Sequence, residues 1–215
     1  PATRSLQPHY AEGKSRRTTY REMVEVMLDQ VRAGKRVCGA FYGHPGVFAW
    51  APHAAIEAAR AEGYAAHMEP GISAEDCLYA DLGIDPGKFG CQHFEASQLL
   101  LYRRQIDPAA YLVLWQVGVT GDRSYARFGT DPARLGLLVE RLGQVYPMDH
   151  QVILYVAATL PITAPSIRML PLSALVDAAP GITATLVVPP AGPPIPDAGM
   201  RARLAALDLA SVPRD

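Results

Sequence analysis

Residues 111–118 have the sequence Tyr-Leu-Val-Leu-Trp-Gln-Val-Gly, an apolar run that a glycine ends. A short continuous apolar run bounded by a turn signal is typical of a strand buried on both faces. Further strand candidates lie on both sides of this run. They are residues 37–42, 64–68, 91–95, 151–157 and 183–188.

Helical patterns separate these strand candidates. Residues 19–22, Thr-Tyr-Arg-Glu, have the spacing of a capping box, and an apolar helical face follows before Gly34. Ser73 begins a further helix with an S-x-x-D cap. Other helices are predicted at residues 53–62, 132–146, 173–176 and 200–209. Because strands alternate with helices, the sequence predicts an α/β fold.

The alternation is interrupted at residues 97–110, which we interpret as a connector between two small α/β domains. The N-terminal domain covers residues 1–96 and the C-terminal domain residues 111–190. Residues 191–215 form a Pro-rich tail that includes the short helix predicted at 200–209. A chain of 215 residues is long enough for this division.

Composition and charge argue against several classes of protein. A net charge of −1 provides no basic footprint for nucleic acid or a membrane surface. No apolar run approaches the ~20 residues that a bilayer-spanning helix needs. The three scattered cysteines are typical of reduced, buried thiols in a cytoplasmic protein, and we identify no metal ligand set.

Two sets of residues are candidates for a ligand site. Three strand ends are broken by glycine, at residues 43–46, 70–73 and 116–118, and ligands of open α/β sheets lie at such ends. Ordinary turns explain these glycines equally well. Tyr10, Arg16, Tyr20 and Tyr42 could form a polar pocket, although half-exposed tyrosines are common. The residues alone therefore indicate an α/β protein with a ligand cleft.

The glycine-broken segments also resemble a known family. Residues 41–48 (FYGHPGVF) and 70–78 (PGISAEDCL) are similar to the tetrapyrrole-methylase superfamily, and more narrowly to the borosin peptide α-N-methyltransferases. The resemblance extends from about Tyr10 to Pro190. Its other parts are residues 10–14 with Arg16 and Tyr20, 84–86 (IDP), 94–97 (FEAS), 114–118 (LWQVG) and 189–190 (PP).

The resemblance implies a methyltransferase that uses S-adenosylmethionine, has a cofactor cleft between two α/β domains, and works as a homodimer. Backbone amides of a ribosomal precursor peptide would be its substrate. Tyr20 would be the base or proton relay and Arg16 its cationic partner, with Tyr10 and Tyr42 in support. Cofactor contacts would come from Tyr42, His44, Val47, Ser73, Ala74, Gln116, Ala157 and Thr185.

Two departures from the family pattern lead to further expectations. The family's first strand and its Gly-rich loop have no counterpart here, so we expect roughly fifty residues before Pro1. Residues 191–215 contain no apolar core peptide, which resembles the split arrangement with a separate precursor. Two alternatives stay open: a tetrapyrrole or other small-molecule methyltransferase, and an inactive homologue that only binds a peptide.

Overall fold

The computed structural model describes residues 2–11, 13–122, 129–160 and 162–211, except for the side chains of 209–211. In these ranges the chain forms seven α-helices and five β-strands. The helices are α1 (Arg16–Arg32), α2 (Trp50–Ala61), α3 (Ala74–Leu82), α4 (Pro86–Phe89), α5 (Ala96–Leu101), α6 (Pro132–Gly143) and α7 (Ala198–Ser211). The strands are β1 (Cys91–Glu95), β2 (Tyr111–Trp115), β3 (Gln151–Val156), β4 (Ser166–Pro171) and β5 (Thr185–Val188). Short 3-10 helices lie at Gln7–His9, Val117–Val119 and Leu172–Ala174.

The five strands form one mixed sheet in the order β1-β2-β5-β3-β4. Strand β1 is parallel to β2, with Cys91 opposite Tyr111, while every other pairing is antiparallel. The centre of the sheet is the pairing of β2 with β5, in which Leu114 lies opposite Leu186. The predicted α/β class is confirmed.

Strand β2 is buried on both faces of the sheet, which explains why its sequence does not alternate. Leu112 and Leu114 pack into a core that includes α5 and α6, on one side. Val113 and Trp115 pack on the opposite side, in a core that includes Leu78 of α3. The sheet is therefore the middle of three layers.

Helices α1 and α2 pack against each other through a smaller core of Val24, Leu28, Ala51 and Ala59. Gly34 ends α1 in a left-handed conformation with φ of 74°, as its position in the sequence predicted. The helix begins earlier than predicted, at Arg16, and the Thr19 hydroxyl bonds to the carbonyl of His9 instead of capping the helix. The capping box predicted at residues 19–22 was therefore wrong.

Two predicted strands are also absent from the described structure. Residues 37–42 and 64–68 have no strand assignment, and no described strand lies beside them. An extended segment becomes a strand when a neighbour pairs with its N–H and C=O groups, and apolar composition alone does not supply that neighbour.

The strands predicted at residues 91–95, 111–117, 151–157 and 183–188 are confirmed as β1, β2, β3 and β5. Strand β4 was missed because prolines at 165 and 171 enclose its short sequence, a pattern that favours a loop or an edge strand, and it does lie at the edge of the sheet with four of its six residues exposed. Strand β1 belongs to the same sheet as β2, and α5 occupies part of the predicted connector. The division into domains at residues 96 and 110 stays a prediction.

The three cysteines are free thiols. Cys38 is exposed, contrary to the predicted burial, because the segment that carries it is not covered by a strand neighbour. Across the described residues, none of the helices combines the length and apolarity of a membrane-spanning segment.

Gly118 allows the backbone after β2 to touch the segment before β5. A Cβ atom at Gly118 would overlap the carbonyl group of Gly181 and come within 2.7 Å of the Pro180 oxygen. We expect Gly118→Ala to lower the free energy of unfolding by about 1–3 kcal/mol, the usual cost of overpacking an interior. Urea denaturation followed by circular dichroism would measure the change.

Gly136→Ala is the matched control, because Gly136 lies in α6 and a Cβ there would meet nothing within 4 Å. Alanine is the better helix former, so this substitution should raise the free energy of unfolding by up to about 1 kcal/mol. Equal midpoints for the two variants would contradict the close approach at Gly118.

Candidate active site

A cavity of about 510 Å³ lies at the carboxyl ends of β1 and β2. Glu95, the last residue of β1, and Gln116, which directly follows β2, contribute to its wall. The N-terminal end of α1 closes another side with Arg16 and Arg17. The position agrees with the general rule that ligands of α/β sheets bind beyond the carboxyl ends of the strands.

Two residues of the cavity wall have left-handed backbones although neither is glycine. Phe48 has φ of 51° and Gln116 has φ of 57°. Such conformations cost about 1–2 kcal/mol for an L-residue, and they are enriched at ligand sites. The Phe48 ring packs on Trp115 with a centroid distance of 5.6 Å, which joins the loop before α2 to the end of β2.

Charged groups of both signs line the cavity. Arg16 and Arg17 bring cations, while Glu95 and Asp122 bring carboxylates. The Ser97 hydroxyl donates to Oε1 of Glu95 at 2.8 Å and accepts from the backbone N–H of Gly121 at 2.9 Å. Ser97 therefore orients the Glu95 carboxylate and ties it to the segment after β2.

Asp122 is held from the side of α6. Its side chain is almost fully buried, and Arg134 lies 4.0 Å from its Oδ1 atom. Arg134 also donates to the carbonyl of Gly121 at 2.8 Å and pairs with Asp131 at 3.3 Å. This arrangement fixes the backbone that forms one rim of the cavity.

Tyr10 and Tyr20 lie beside the N-terminal end of α1. Their rings meet edge to face, with centroids 6.4 Å apart and planes 84° apart. Burial raises the pKa of Tyr10, its charge and hydrogen-bond coupling to Tyr20 raises it further, and Arg16 opposes the rise. Tyr10 therefore keeps its proton at neutral pH. The structure brings together three of the four predicted catalytic residues, Tyr10, Tyr20 and Arg16.

Two glycine-containing loops touch each other near the start of α2 and α3. A Cβ atom at Gly71 would lie 2.9 Å from the carbonyl oxygen of Gly43, so the loops can approach only because Gly71 lacks one. His44 accepts a hydrogen bond at Nδ1 from the backbone N–H of Gly46 at 2.9 Å, which identifies it as a residue that shapes its own loop.

Ser73 and Asp76 form a capping box at the start of α3. Asp76 accepts from the Ser73 backbone N–H at 2.7 Å and from its hydroxyl at 3.0 Å, and the Ser73 hydroxyl accepts from the backbone N–H of Glu75 at 3.1 Å. These hydrogen bonds from Ser73 hold the pKa of Asp76 below its usual range. The S-x-x-D cap predicted here is confirmed.

The other cofactor candidates are distributed around these loops and the sheet. Ala74 is the first residue of α3, Ala157 directly follows β3, and Thr185 is buried in β5. Tyr42 is 91% exposed, and Val47 is exposed too. Of the eight predicted cofactor contacts, Gln116 alone is among the described residues that line the cavity. The cofactor roles of all eight stay predictions.

Several residues of the cavity wall were not predicted from the sequence. Glu95 ends a correctly predicted strand, so the rule of the carboxyl end could have identified it. Phe48, Ser97, Arg17 and Asp122 carry no comparable signal, because their places in the wall depend on how α1, α5 and the sheet pack.

Comparisons with known proteins agree with this architecture. The family of tetrapyrrole (corrin/porphyrin) methylases matches residues 1–167. The chain is 50% identical over 163 residues to a methyltransferase/ribosomally synthesized type I borosin cyclic peptide precursor of Coprinopsis marcescibilis. It is 48% identical over 156 residues to the methyltransferase/ribosomally synthesized cyclic peptide omphalotin A precursor of Omphalotus olearius.

These matches cover 74% and 73% of this chain, but 41% and 37% of the two relatives, so the chain spans about two fifths of their length.

Solved structures are similar in fold at low sequence identity. Uroporphyrin-III-C-methyltransferase of Thermus thermophilus has a TM-score of 0.58 at 20% identity, over 85% of this chain and 74% of that one. Cobalt precorrin-4 methyltransferase has a TM-score of 0.56 at 17% identity, over 79% of this chain and 70% of that one. With the sheet, the glycine loops and the match over residues 1–167, these findings show that the chain belongs to the tetrapyrrole methylase family.

Proposed function

We propose that this chain is part of a methyltransferase that uses S-adenosylmethionine to methylate backbone amide nitrogens of a ribosomal peptide. The observation that carries the proposal is the 50% identity to a methyltransferase that is fused, by its name, to a borosin cyclic peptide precursor. Arg16 lines the cavity, and its grouping with Tyr10 and Tyr20 at the start of α1 supports the proposal.

The cavity is large enough for a cofactor of the size of S-adenosylmethionine, and Gln116 is the one predicted cofactor contact among the described residues that line it. Gly71 and Gly43 bring two backbone segments into contact, and Gln116 adds an amide side chain beside a cavity of about 510 Å³. That volume is within the ~300–1,000 Å³ that is usual for small-molecule sites. A structural neighbour, uroporphyrin-III C-methyl transferase of Thermus thermophilus, was solved in complex with S-adenosylhomocysteine. The bound cofactor supplies an electrophilic methyl group.

An amide nitrogen is a poor nucleophile because its lone pair is delocalised into the carbonyl. The enzyme must remove the N–H proton and stabilise the negative charge that develops on the amide oxygen. Arg16 suits the second task, because a guanidinium stays charged and directs several donors at one oxygen. Tyr20 lies one helical turn after Arg16, on the same face of α1, where it can accept the N–H proton.

Tyr10 has a different task from Tyr20 in this proposal. Because the pKa of Tyr10 is raised, its phenol is protonated at neutral pH and acts as a hydrogen-bond donor. Its ring lies edge-on to Tyr20 at 6.4 Å, so Tyr10 can orient the Tyr20 phenol or donate to the amide oxygen. Tyr42, which is largely exposed, stays a predicted supporting residue.

The cavity wall suits a peptide backbone, which presents N–H donors and C=O acceptors in alternation. Arg17 can donate to carbonyl groups, and Glu95 can accept from N–H groups. Ser97 holds the Glu95 carboxylate in place for this purpose. These contacts position the amide relative to Arg16, and alignment of this kind supplies much of the rate enhancement of a two-substrate reaction.

We further propose that the precursor peptide is a separate chain and that the enzyme works as a homodimer. The separate precursor and the homodimer are both proposed from the family resemblance of the sequence. The relatives carry methyltransferase and precursor in one chain, according to their names. The fused and the separate arrangement can be told apart by experiment.

Replacing Arg16 or Tyr20 should separate catalysis from cofactor binding. We expect Arg16→Ala and Tyr20→Phe to lower methyl transfer by at least about 100-fold, since each removes a group that acts on the amide in the transition state. The affinity for S-adenosylmethionine, measured by calorimetry, should be unchanged. Arg21→Ala is the control, because Arg21 is an exposed arginine of the same helix outside this cavity.

Normal turnover in both variants would contradict the roles given to Arg16 and Tyr20. Loss of cofactor binding in both would assign them to the cofactor site instead.

The release of S-adenosylhomocysteine should depend on the peptide. We expect the purified protein to release it when a precursor peptide is added as a separate chain, with whole-methyl gains in that chain's intact mass. Methylation confined to a peptide joined to the enzyme would indicate the fused arrangement. Turnover of a tetrapyrrole in place of any peptide would contradict the proposed substrate class.

A further inference from the structure

We infer that Glu22 is a positioning residue, which holds the segment before α1 so that Tyr10 meets Tyr20. The effect of Glu22 on catalysis rests on the proposed function, whereas its effect on the position of Tyr10 rests on the contacts of its side chain. Glu22 lies in α1, half a turn beyond Tyr20, and its side chain is half-buried.

The contacts of Glu22 converge on one oxygen. The Lys14 ammonium donates to Oε2 at 2.5 Å, and Nδ1 of His9 lies 3.1 Å from the same atom. Both partners belong to the segment that leads into α1. Their hydrogen bonds hold the pKa of Glu22 below its usual range, with Lys14 as the larger cause, so the carboxylate is charged at neutral pH.

The backbone of His9 is fixed as well. Its carbonyl oxygen accepts from the Lys14 ammonium at 3.0 Å and from the Thr19 hydroxyl at 3.2 Å. Thr19 is fully buried in α1, which makes it a rigid anchor. We call the group of His9, Lys14, Thr19 and Glu22 the N-terminal clamp.

The clamp acts on Tyr10 through chain connectivity. Tyr10 directly follows His9, and its backbone N–H bonds to the carbonyl of Gln7 at 3.0 Å, which continues the 3-10 turn. With the carbonyl and the ring of His9 both held, the backbone of Tyr10 has little freedom. Its ring therefore stays 6.4 Å from that of Tyr20.

The position of Tyr10 depends on the clamp, because the Tyr10 ring is not buried enough to hold itself in place. Tyr10 is 42% exposed, so burial of its own ring fixes it only in part. Without Glu22, the Lys14 ammonium would keep one acceptor, the His9 carbonyl, and the His9 ring would lose its partner. The two phenols would then meet less often, and the amide would lose a positioned donor.

The titration of Tyr10 reports this arrangement independently of activity. Its pKa is raised by burial and by Tyr20, against the opposing charge of Arg16. Release of the segment would expose the phenol and separate it from Tyr20, so the pKa should fall toward the ordinary value of ~10. Carbon-13 NMR of labelled tyrosine would follow it, with the Tyr10 signal assigned by its absence in Tyr10→Phe.

Glu22→Ala is the test variant and Glu25→Ala the matched control. Alanine suits a helix at both positions, and Glu25 pairs with Arg32 at 3.0 Å, away from the clamp. We expect the pKa of Tyr10 to fall in Glu22→Ala alone, and trypsin to cleave after Lys14 faster in that variant. Glu22→Gln keeps an acceptor for Lys14, so the titration of Tyr10 should be restored in part.

In turnover, Glu22→Ala should lower kcat by about 100-fold with an unchanged KM for the cofactor, because misplacement of a catalytic group affects the transition state. Lys14→Met, which removes the other half of the pair, should have the same effect on Tyr10.

An unchanged Tyr10 titration in both Glu22→Ala and Lys14→Met would overturn the inference, and so would an equal fall in Glu25→Ala. Failure of the wild-type protein to methylate any peptide would contradict the proposed function alone, because the titration and the cleavage rate still test the clamp.

Discussion

The double burial of strand β2 is the constraint on which the rest of the structure depends. Its hydrogen bonds to β1 and β5 fix the centre of the sheet, and its side chains join the cores on both faces. At its end the chain must turn sharply, and it does so through the left-handed Gln116 and the close approach of Gly118 to the segment before β5. Gln116 in this turn also lines the cavity, so the turn after β2 joins the packed centre of the sheet to the site.

Helix α1 carries most of the chemistry that we propose. Arg16 and Tyr20 are four residues apart and share one face of the helix, while Thr19 and Glu22 reach the segment that carries Tyr10. One helix thus carries two groups of the site, and polar contacts from the same helix hold the segment that carries the third. Rigid support of this kind is what positioning catalysis requires.

Much of the fold could be predicted because short apolar runs and capping residues in the sequence mark buried strands and helix starts. The run at residues 111–117 and the cap at Ser73 were interpreted correctly from composition and spacing. Residues 37–42 were misjudged because an apolar run does not reveal whether a partner strand is present. Arg16, Tyr10 and Tyr20 could be named from the family resemblance. The contacts of Glu22 could not be foreseen, since they join residues that are 8 and 13 positions apart across the bend before α1.

In the function that we propose, the methyl group goes to a backbone nitrogen of a peptide. The most direct test of this function is a reaction with S-adenosylmethionine whose methyl group is deuterated, followed by fragment-ion mass spectrometry of the peptide. We expect deuterated methyl groups on backbone amide nitrogens, identified by fragments that retain unmodified side chains. Label on a side chain, or on a small molecule while the peptide stays unlabelled, would contradict the proposed function.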